Sequence, residues 1–186
     1  MDKKTLGLSD DKKLVVIVAR SLGSATINEK MADYLKKAEK EDYEVLYITG
    51  KAHYEEFIKD KTFGNNIKVL PYLDNLPALL KNTDLIVTRA GASTMSEILS
   101  LNLPAIFIPS PYVANNHQYY NAMEIKNNGG GEVIEEKDLT SDTLISIINE
   151  VLNNSEKYNK MKSNLKKMSM NNSSDLIYDK LKELIK

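Results

Sequence analysis

Residues 88–97 have the composition of a turn that could hold a phosphate group. Their sequence, Thr-Arg-Ala-Gly-Ala-Ser-Thr-Met-Ser-Glu, places small residues between a β-branched run and an apolar pattern with helical spacing. Gly91 would let the backbone approach a ligand, and the free N–H groups of the first helical turn, from Ala92, Ser93 and Thr94, would point at it. Glu97, one turn further on, could accept hydrogen bonds from sugar hydroxyls. This stretch therefore favours a nucleotide-sugar site.

The same stretch also fits a structural interpretation. Thr94 and Glu97 have the spacing of a capping box, in which Thr94 caps the helix and Glu97 reaches back to the Thr94 amide. Arg89 could contact an anion, or it could form an ion pair at the surface or between domains. The pattern alone leaves these alternatives open.

Three further polar loops follow predicted strands. In residues 19–24, Ser21 and the amides near Gly23 could contact a diphosphate, although a plain turn would need only the glycine. In residues 110–121, amide and imidazole groups suit sugar hydroxyls. A sugar contact by Gln118 is therefore a better hypothesis than a role for His117 as a catalytic base. After the third strand, backbone near Tyr72 and Leu73 could read a base, while Asp74 or Asn75 caps the next helix.

The composition narrows the classes of function. The 25 basic and 26 acidic side chains nearly cancel, so no whole-protein field favours nucleic acid or an anionic membrane. Cysteine is absent and only two histidines are present, which argues against disulfides, thiolate chemistry and a histidine-rich metal site. We expect no cofactor and no metal. No signal segment or run of about 18 apolar residues is visible, so a cytoplasmic location is expected.

Apolar runs alternate with segments of helical spacing along the chain. Strands about 20 to 30 residues apart with helices between them predict an α/β fold with a doubly wound parallel sheet, covered on both faces. The 186 residues fit one domain. The predicted strands are residues 14–18, 45–48, 67–70, 85–87, 105–108 and 132–134. The predicted helices are residues 27–38, 54–57, 76–80, 95–101 and 118–127, with a sixth beginning near 140–141.

Residues 153–186 are predicted to form a helical carboxy-terminal extension. A first helix carries an apolar stripe through Tyr158, Met161, Leu165 and Met168, and its lysines form a solvated face. A break is expected at residues 171–174, followed by a final helix with its own stripe. We expect that last stripe to be incompletely buried, and we expect weak self-association through it. The stripe comprises Leu176, Ile177, Leu181, Leu184 and Ile185.

The ordered motifs together resemble the carboxy-terminal half of the MurG family, the bacterial N-acetylglucosaminyltransferases that make lipid II. The matching pieces are spread over some 110 residues, and their combination is more specific than any one of them. They are residues 21–24 with 27–29, residues 72–76, residues 89–98, residues 104–106 with Pro109, and His117-Gln118-x-x-Asn121-Ala122.

The resemblance implies a Rossmann-like domain, one half of a GT-B glycosyltransferase, that holds UDP-GlcNAc. By this analogy Ser21 and Gly23 would contact the diphosphate, and Glu97 would bind the ribose. Backbone at Tyr72 and Leu73 would meet the uracil, and Ala92, Ser93 and Thr94 would line the phosphate and sugar end. Gln118 with His117 would bind the GlcNAc hydroxyls, and Arg89 and Gly91 also belong to the expected donor-binding set.

The full reaction implied by the resemblance is inverting and needs no metal, and the chain has no Asp-x-Asp pair. No catalytic residue is expected in this half, so the isolated chain should not transfer sugar. The acceptor site and any membrane contact would belong to an amino-terminal domain or a partner subunit. In the family, the loop after the first strand normally begins with two glycines, whereas this chain has Ala19 and Arg20 at those positions.

Two alternatives stay open. One is the catalytic subunit of a split, two-part GlcNAc-transferase, and the other is a non-catalytic nucleotide-sugar-binding module. A partner encoded beside the gene would favour the split enzyme.

Overall fold

Six apolar segments form one parallel β-sheet. The structure is a computed structural model that describes residues 3–18 and 25–184, with side chains for all of these except 25, 26 and 171–184. Each predicted strand is confirmed to within one or two residues at its ends. The strands are β1 (Lys13–Val18), β2 (Tyr43–Ile48), β3 (Ile67–Leu70), β4 (Leu85–Thr88), β5 (Ala105–Phe107) and β6 (Gly131–Val133). Their order in the sheet is β3-β2-β1-β4-β5-β6.

Helices cover both faces of this sheet, so the predicted doubly wound architecture is confirmed. The helices are α1 (Ala25–Ala38), α2 (Tyr54–Ile58), α3 (Leu76–Leu80), α4 (Ala92–Leu101), α5 (His117–Asn127), α6 (Ser141–Asn153) and α7 (Ser155–Leu184). One buried cluster contains side chains of α1, α2 and α6, such as Met31, Phe57 and Ile148. The other contains side chains of α3, α4 and α5, including Leu79 and Ile98. Short 3-10 turns lie at Lys3–Leu6, Ala114–Asn116 and Glu136–Asp138.

Two helix starts show how well capping can be anticipated from sequence. Thr140 is the N-cap of α6, and its side chain accepts a hydrogen bond from the Thr143 amide, as its residue type favours. Asn75 occupies the N-cap of α3, but its side chain makes no capping hydrogen bond, so that part of the prediction is wrong. Pro77, which lacks an N–H, stands in the first turn of this helix.

The carboxy-terminal extension is one continuous helix, α7, and the break expected at residues 171–174 is wrong. Asparagine and serine are weak helix formers that cost a few tenths of a kcal/mol each, and they do not stop a helix as proline would. The predicted stripe packs back on the domain, with Met161 and Leu165 buried in the two cores. The final apolar stripe, from Leu176 onward, lies outside the described side chains. No helix within the described part of the chain is both long and apolar enough to cross a membrane.

Candidate functional site

The strand order reverses between β1 and β4, and this reversal is where open α/β sheets bind ligands, just beyond the carboxyl ends of the strands. The end of β1 and the turn after β4 flank that point. Ser21 and Gly23, the predicted diphosphate contacts of the first loop, lie outside the described residues. The second flank is the turn that runs from Arg89 to Gly91 into α4.

Gly91, and not Thr94, is the N-cap of α4, so the capping-box interpretation is wrong. The helix begins at Ala92, three residues earlier than that box requires, and none of the described side chains caps it. Within the described residues, no side chain therefore accepts a hydrogen bond from its first amides. Glu97 follows Ser93 by four residues and Thr94 by three, so these side chains share one side of α4, where they are exposed or half-buried. Met95, on the other side of the helix, is buried.

The glycine at position 91 is not required by the backbone. Its φ of −73° and ψ of 149° are open to any L-amino acid. A Cβ added to Gly91 would have no heavy atom of a described residue within 4 Å. The described residues therefore leave space beside the amino end of α4, where an anionic ligand at a helix amino end would lie.

The Arg89 side chain is buried and committed to the chain's own groups. It is 5% exposed; one terminal nitrogen donates to the Ile108 carbonyl at 2.9 Å, and the other pairs with the Glu136 carboxylate at 2.8 Å. The sequence left open an anion contact or an ion pair at the surface or between domains. The structure instead shows an ion pair buried within this domain, linking the turns that follow β4 and β6.

The loop after β5 brings Gln118 and His117 to the same edge of the sheet. Gln118 is 7% exposed, and its side-chain oxygen accepts a hydrogen bond from the Ser110 amide at 3.0 Å. His117 is exposed, and its Nδ1 lies 2.9 Å from the Ala114 carbonyl. Because a carbonyl can only accept, Nδ1 carries the proton, and in the neutral ring Nε2 is left as an acceptor for a hydroxyl.

Two features that shape this edge, one hydrogen bond and one backbone bend, were not predicted from the sequence. Asn121 of α5 donates to the Ala90 carbonyl at 3.1 Å and ties that helix to the turn after β4. Asn115 and Asn116 adopt left-handed backbone angles, with φ of 54° and 51°. Asparagine tolerates that conformation better than most residues, so the pair forms the tight bend ahead of α5. The asparagines were visible in the sequence, but nothing there signalled the partner of Asn121.

The predicted base contacts lie further along the same edge, after β3. Leu73 is buried, and the half-exposed Tyr72 ring has the Lys51 ammonium 4.9 Å from its centroid. Lys51 belongs to the connection after β2, so this cation–π contact joins two neighbouring loops. Three strand spacings, about 14 Å, separate β3 from β4. That spread suits an elongated ligand better than a single phosphate.

A cavity of about 670 Å³ lies at the opposite edge, near the amino ends of the strands. Lys81, Thr83 and Asp84 line it just before β4, together with Tyr158 and Lys162 of α7. Tyr158 donates a hydrogen bond to the Asp84 carbonyl there, at 3.1 Å. Since ligands of parallel sheets bind at the carboxyl ends, this cavity is not the candidate site.

The strand order and the turn at its switch point define a Rossmann-like α/β domain of the kind found in GT-B glycosyltransferases. Residues 14–177 match the model of the glycosyltransferase family 28 C-terminal domain. The chain belongs to this family.

Curated relatives extend well beyond the length of this chain. It is 38% identical, over 187 aligned residues, to a UDP-N-acetylglucosamine--N-acetylmuramyl-(pentapeptide) pyrophosphoryl-undecaprenol N-acetylglucosamine transferase of Bacillus cytotoxicus. A protein of the same name from Pediococcus pentosaceus is 39% identical over 183 residues. The alignments cover 99% and 97% of this chain but 51% of each relative. The chain thus spans about half the length of the curated relatives it matches.

Solved structures show the same fold. The crystal structure of Acinetobacter baumannii MurG matches with a TM-score of 0.71 at 23% identity, covering 95% of this chain and 52% of that one. The glycosyltransferase VinC, solved in complex with DTDP, matches with a TM-score of 0.70 at 19% identity, covering 89% and 39%. At these identities the likeness concerns the fold alone.

Proposed function

We propose that this chain binds UDP-GlcNAc at the carboxyl edge of its sheet, as the donor-binding half of an N-acetylglucosaminyltransferase that makes lipid II. Membership of glycosyltransferase family 28 supports a sugar-nucleotide ligand. The names of the curated relatives support GlcNAc as the sugar. The rest of the transferase, including the acceptor site, would come from a segment corresponding to the other half of those relatives.

The observation that carries the proposal is the open turn at Gly91. Gly91 has ordinary backbone angles, and none of the described residues lies within 4 Å of its missing Cβ or caps the helix with a side chain. The described residues therefore leave the first α4 amides free. Those amides and the positive end of the helix dipole would receive the diphosphate. A side chain at position 91 would occupy the space that the phosphate oxygens need.

The remaining contacts follow from their positions around that turn. Ser93 and Thr94 would line the phosphate and sugar end, and Glu97 would accept hydrogen bonds from the ribose hydroxyls. His117 would offer its Nε2 acceptor to a sugar hydroxyl. Backbone at Tyr72 and Leu73 would read the uracil, and Ser21 and Gly23 would complete the diphosphate site.

In the complete enzyme, an acceptor hydroxyl would attack the anomeric carbon as UDP departs, with inversion. The charge that develops on the leaving UDP would be stabilised by preorganised amides at the amino end of α4. This supply of donors is what supports a reaction without metal. The groups that activate the acceptor would lie in the other half, so this chain alone would bind the donor and not transfer it.

Calorimetric titration of the chelator-treated chain with UDP-GlcNAc, UDP-glucose and UDP tests the proposal. We expect weak, saturable binding of UDP and UDP-GlcNAc without added metal, because only one wall of a two-domain cleft is present. UDP-GlcNAc should bind more tightly than UDP-glucose. Absence of saturable binding of both UDP and UDP-GlcNAc at millimolar ligand would contradict it.

A further inference from the structure

Three connections at the carboxyl edge of the sheet, those after β4, β5 and β6, meet at one buried ion pair. Arg89, in the turn after β4, pairs with Glu136, in the turn after β6, at 2.8 Å. Arg89 also donates to the Ile108 carbonyl just beyond β5 at 2.9 Å. The Glu136 carbonyl accepts a hydrogen bond from Lys30 of α1 at 3.0 Å. Glu136 therefore links the turn after β6 and helix α1 to the turn that leads into α4, and Arg89 adds the link to the segment after β5.

We infer that Glu136 is a positioning residue, acting through Arg89, for the turn of residues 89–91, called here the Gly91 turn. The inference rests on the proposed function and names a residue that the donor need not touch. Arg89 is two residues before Gly91, so the place where its guanidinium is held restricts where the turn can lie. Once that guanidinium is committed to Glu136 and Ile108, Arg89 holds the site and is not itself the anion contact.

The burial of the pair makes it a strong restraint. The side chains of Arg89 and Glu136 are 6% and 12% exposed. Removing one charge of a buried pair leaves the other without compensation, and the surroundings must then shift to satisfy it. The Nε atom of Arg89 is buried and has no hydrogen-bond partner within the described part of the chain, so the guanidinium depends on few contacts. A shift of Arg89 would carry Ala90 and Gly91 with it.

The sign of the effect separates positioning from direct contact. If Arg89 contacted the diphosphate itself, neutralising Glu136 would free the guanidinium and remove a nearby negative charge. Binding of an anion would then become tighter or stay unchanged. If Glu136 holds the turn in place, neutralising it weakens binding although a repelling charge has been removed.

The test compares Glu136→Gln with Glu135→Gln, the same change one residue away. Glu135 forms a more exposed ion pair with Lys137 at 3.1 Å, which makes it a matched control. UDP titrations are run well below the melting temperature, with two-dimensional amide NMR spectra of each free protein. We expect Glu136→Gln to weaken UDP binding about 2- to 30-fold and to move the Gly91 amide resonance. Glu135→Gln should do neither.

The outcomes separate the inference from the proposed function. A Gly91 resonance that stays in place in Glu136→Gln, or UDP binding that is unchanged or tighter, would overturn the positioning role. A lower melting temperature alone, without either effect, would also overturn it, because that is the mark of a structural residue. If the wild-type chain binds no UDP but its Gly91 resonance moves in Glu136→Gln, the proposed function fails and the coupling stands.

A conservative variant guards against misfolding. Glu136→Asp keeps the charge but shortens the side chain by one methylene, so it should recover part of the lost affinity. The Gly91 resonance of this variant should lie between those of the wild type and Glu136→Gln. Equal effects of the Asp and Gln variants would contradict an ion pair as the source of the positioning.

Discussion

Replacing Glu97 with alanine should weaken UDP binding while leaving the fold unchanged. Glu97 is exposed in the middle of α4, and its carboxylate makes no hydrogen bond or ion pair with any other described residue. The helix begins at Ala92, after the N-cap Gly91, without a capping box, so Glu97 does not support its start. The proposed role of this carboxylate is to accept hydrogen bonds from the ribose.

The expected change in the free energy of unfolding is much smaller than the expected change in the free energy of UDP binding. At an exposed helical position with no partner, Glu→Ala should change the free energy of unfolding by no more than about 0.5 kcal/mol. Hydrogen bonds to a charged group contribute about 1.5–3 kcal/mol. The loss of affinity should therefore be about 10- to 150-fold. Glu97→Gln, which keeps an acceptor oxygen but not the charge, should fall between the wild type and Glu97→Ala.

Calorimetry with UDP and urea unfolding would measure both quantities. Glu124, an exposed glutamate on α5, supplies a control, because Glu124→Ala removes the same charge away from the turn. We expect that variant to bind UDP like the wild type. If Glu97→Ala binds UDP with unchanged affinity, or loses affinity only in proportion to a loss of stability, the ribose assignment is refuted.

Three further predictions concern the site and the fold. Gly91→Ala should change stability by less than about 0.5 kcal/mol, because poorer capping is offset by a less flexible unfolded chain, yet it should abolish UDP binding measured by calorimetry. Thr140→Ala should cost about 1 kcal/mol in urea unfolding, since the Thr143 amide loses its capping acceptor at 3.1 Å. Burial raises the pKa of Tyr43 to about 12 and the pKa of Tyr47 well above its ordinary value. The unfolded state releases these protons first, near pH 10, so the urea midpoint should fall as the pH rises from about 10 towards 12, and less steeply in Tyr47→Phe.

The fold was predictable because hydrophobic periodicity reports directly on burial. The run of residues 14–18 is apolar without interruption because β1 lies in the middle of the sheet and is covered on both faces. The alternation of strands and helices then left few topologies open. The start of α4 was predictable less well, because Gly91 and Thr94 are both acceptable N-caps and only the backbone angles distinguish them.

The partners of the site residues could not be predicted from the sequence. Arg89 and Glu136 are separated by 47 positions, and they meet only because β4 and β6 lie on either side of β5. The same is true of Asn121 and Ala90, whose contact depends on how α5 packs beside the turn. A single sequence shows which groups are able to pair, whereas the strand order decides which of them do.

The central claim is that the donor binds at the Gly91 turn, and a crystal structure of the chain with UDP-GlcNAc tests it most directly. We predict that diphosphate oxygens lie within hydrogen-bond distance of the amides of Ala92 and Ser93, with ribose hydroxyls on the Glu97 carboxylate. A ligand bound instead in the cavity lined by Lys81, Tyr158 and Lys162, at the other edge of the sheet, would contradict the claim.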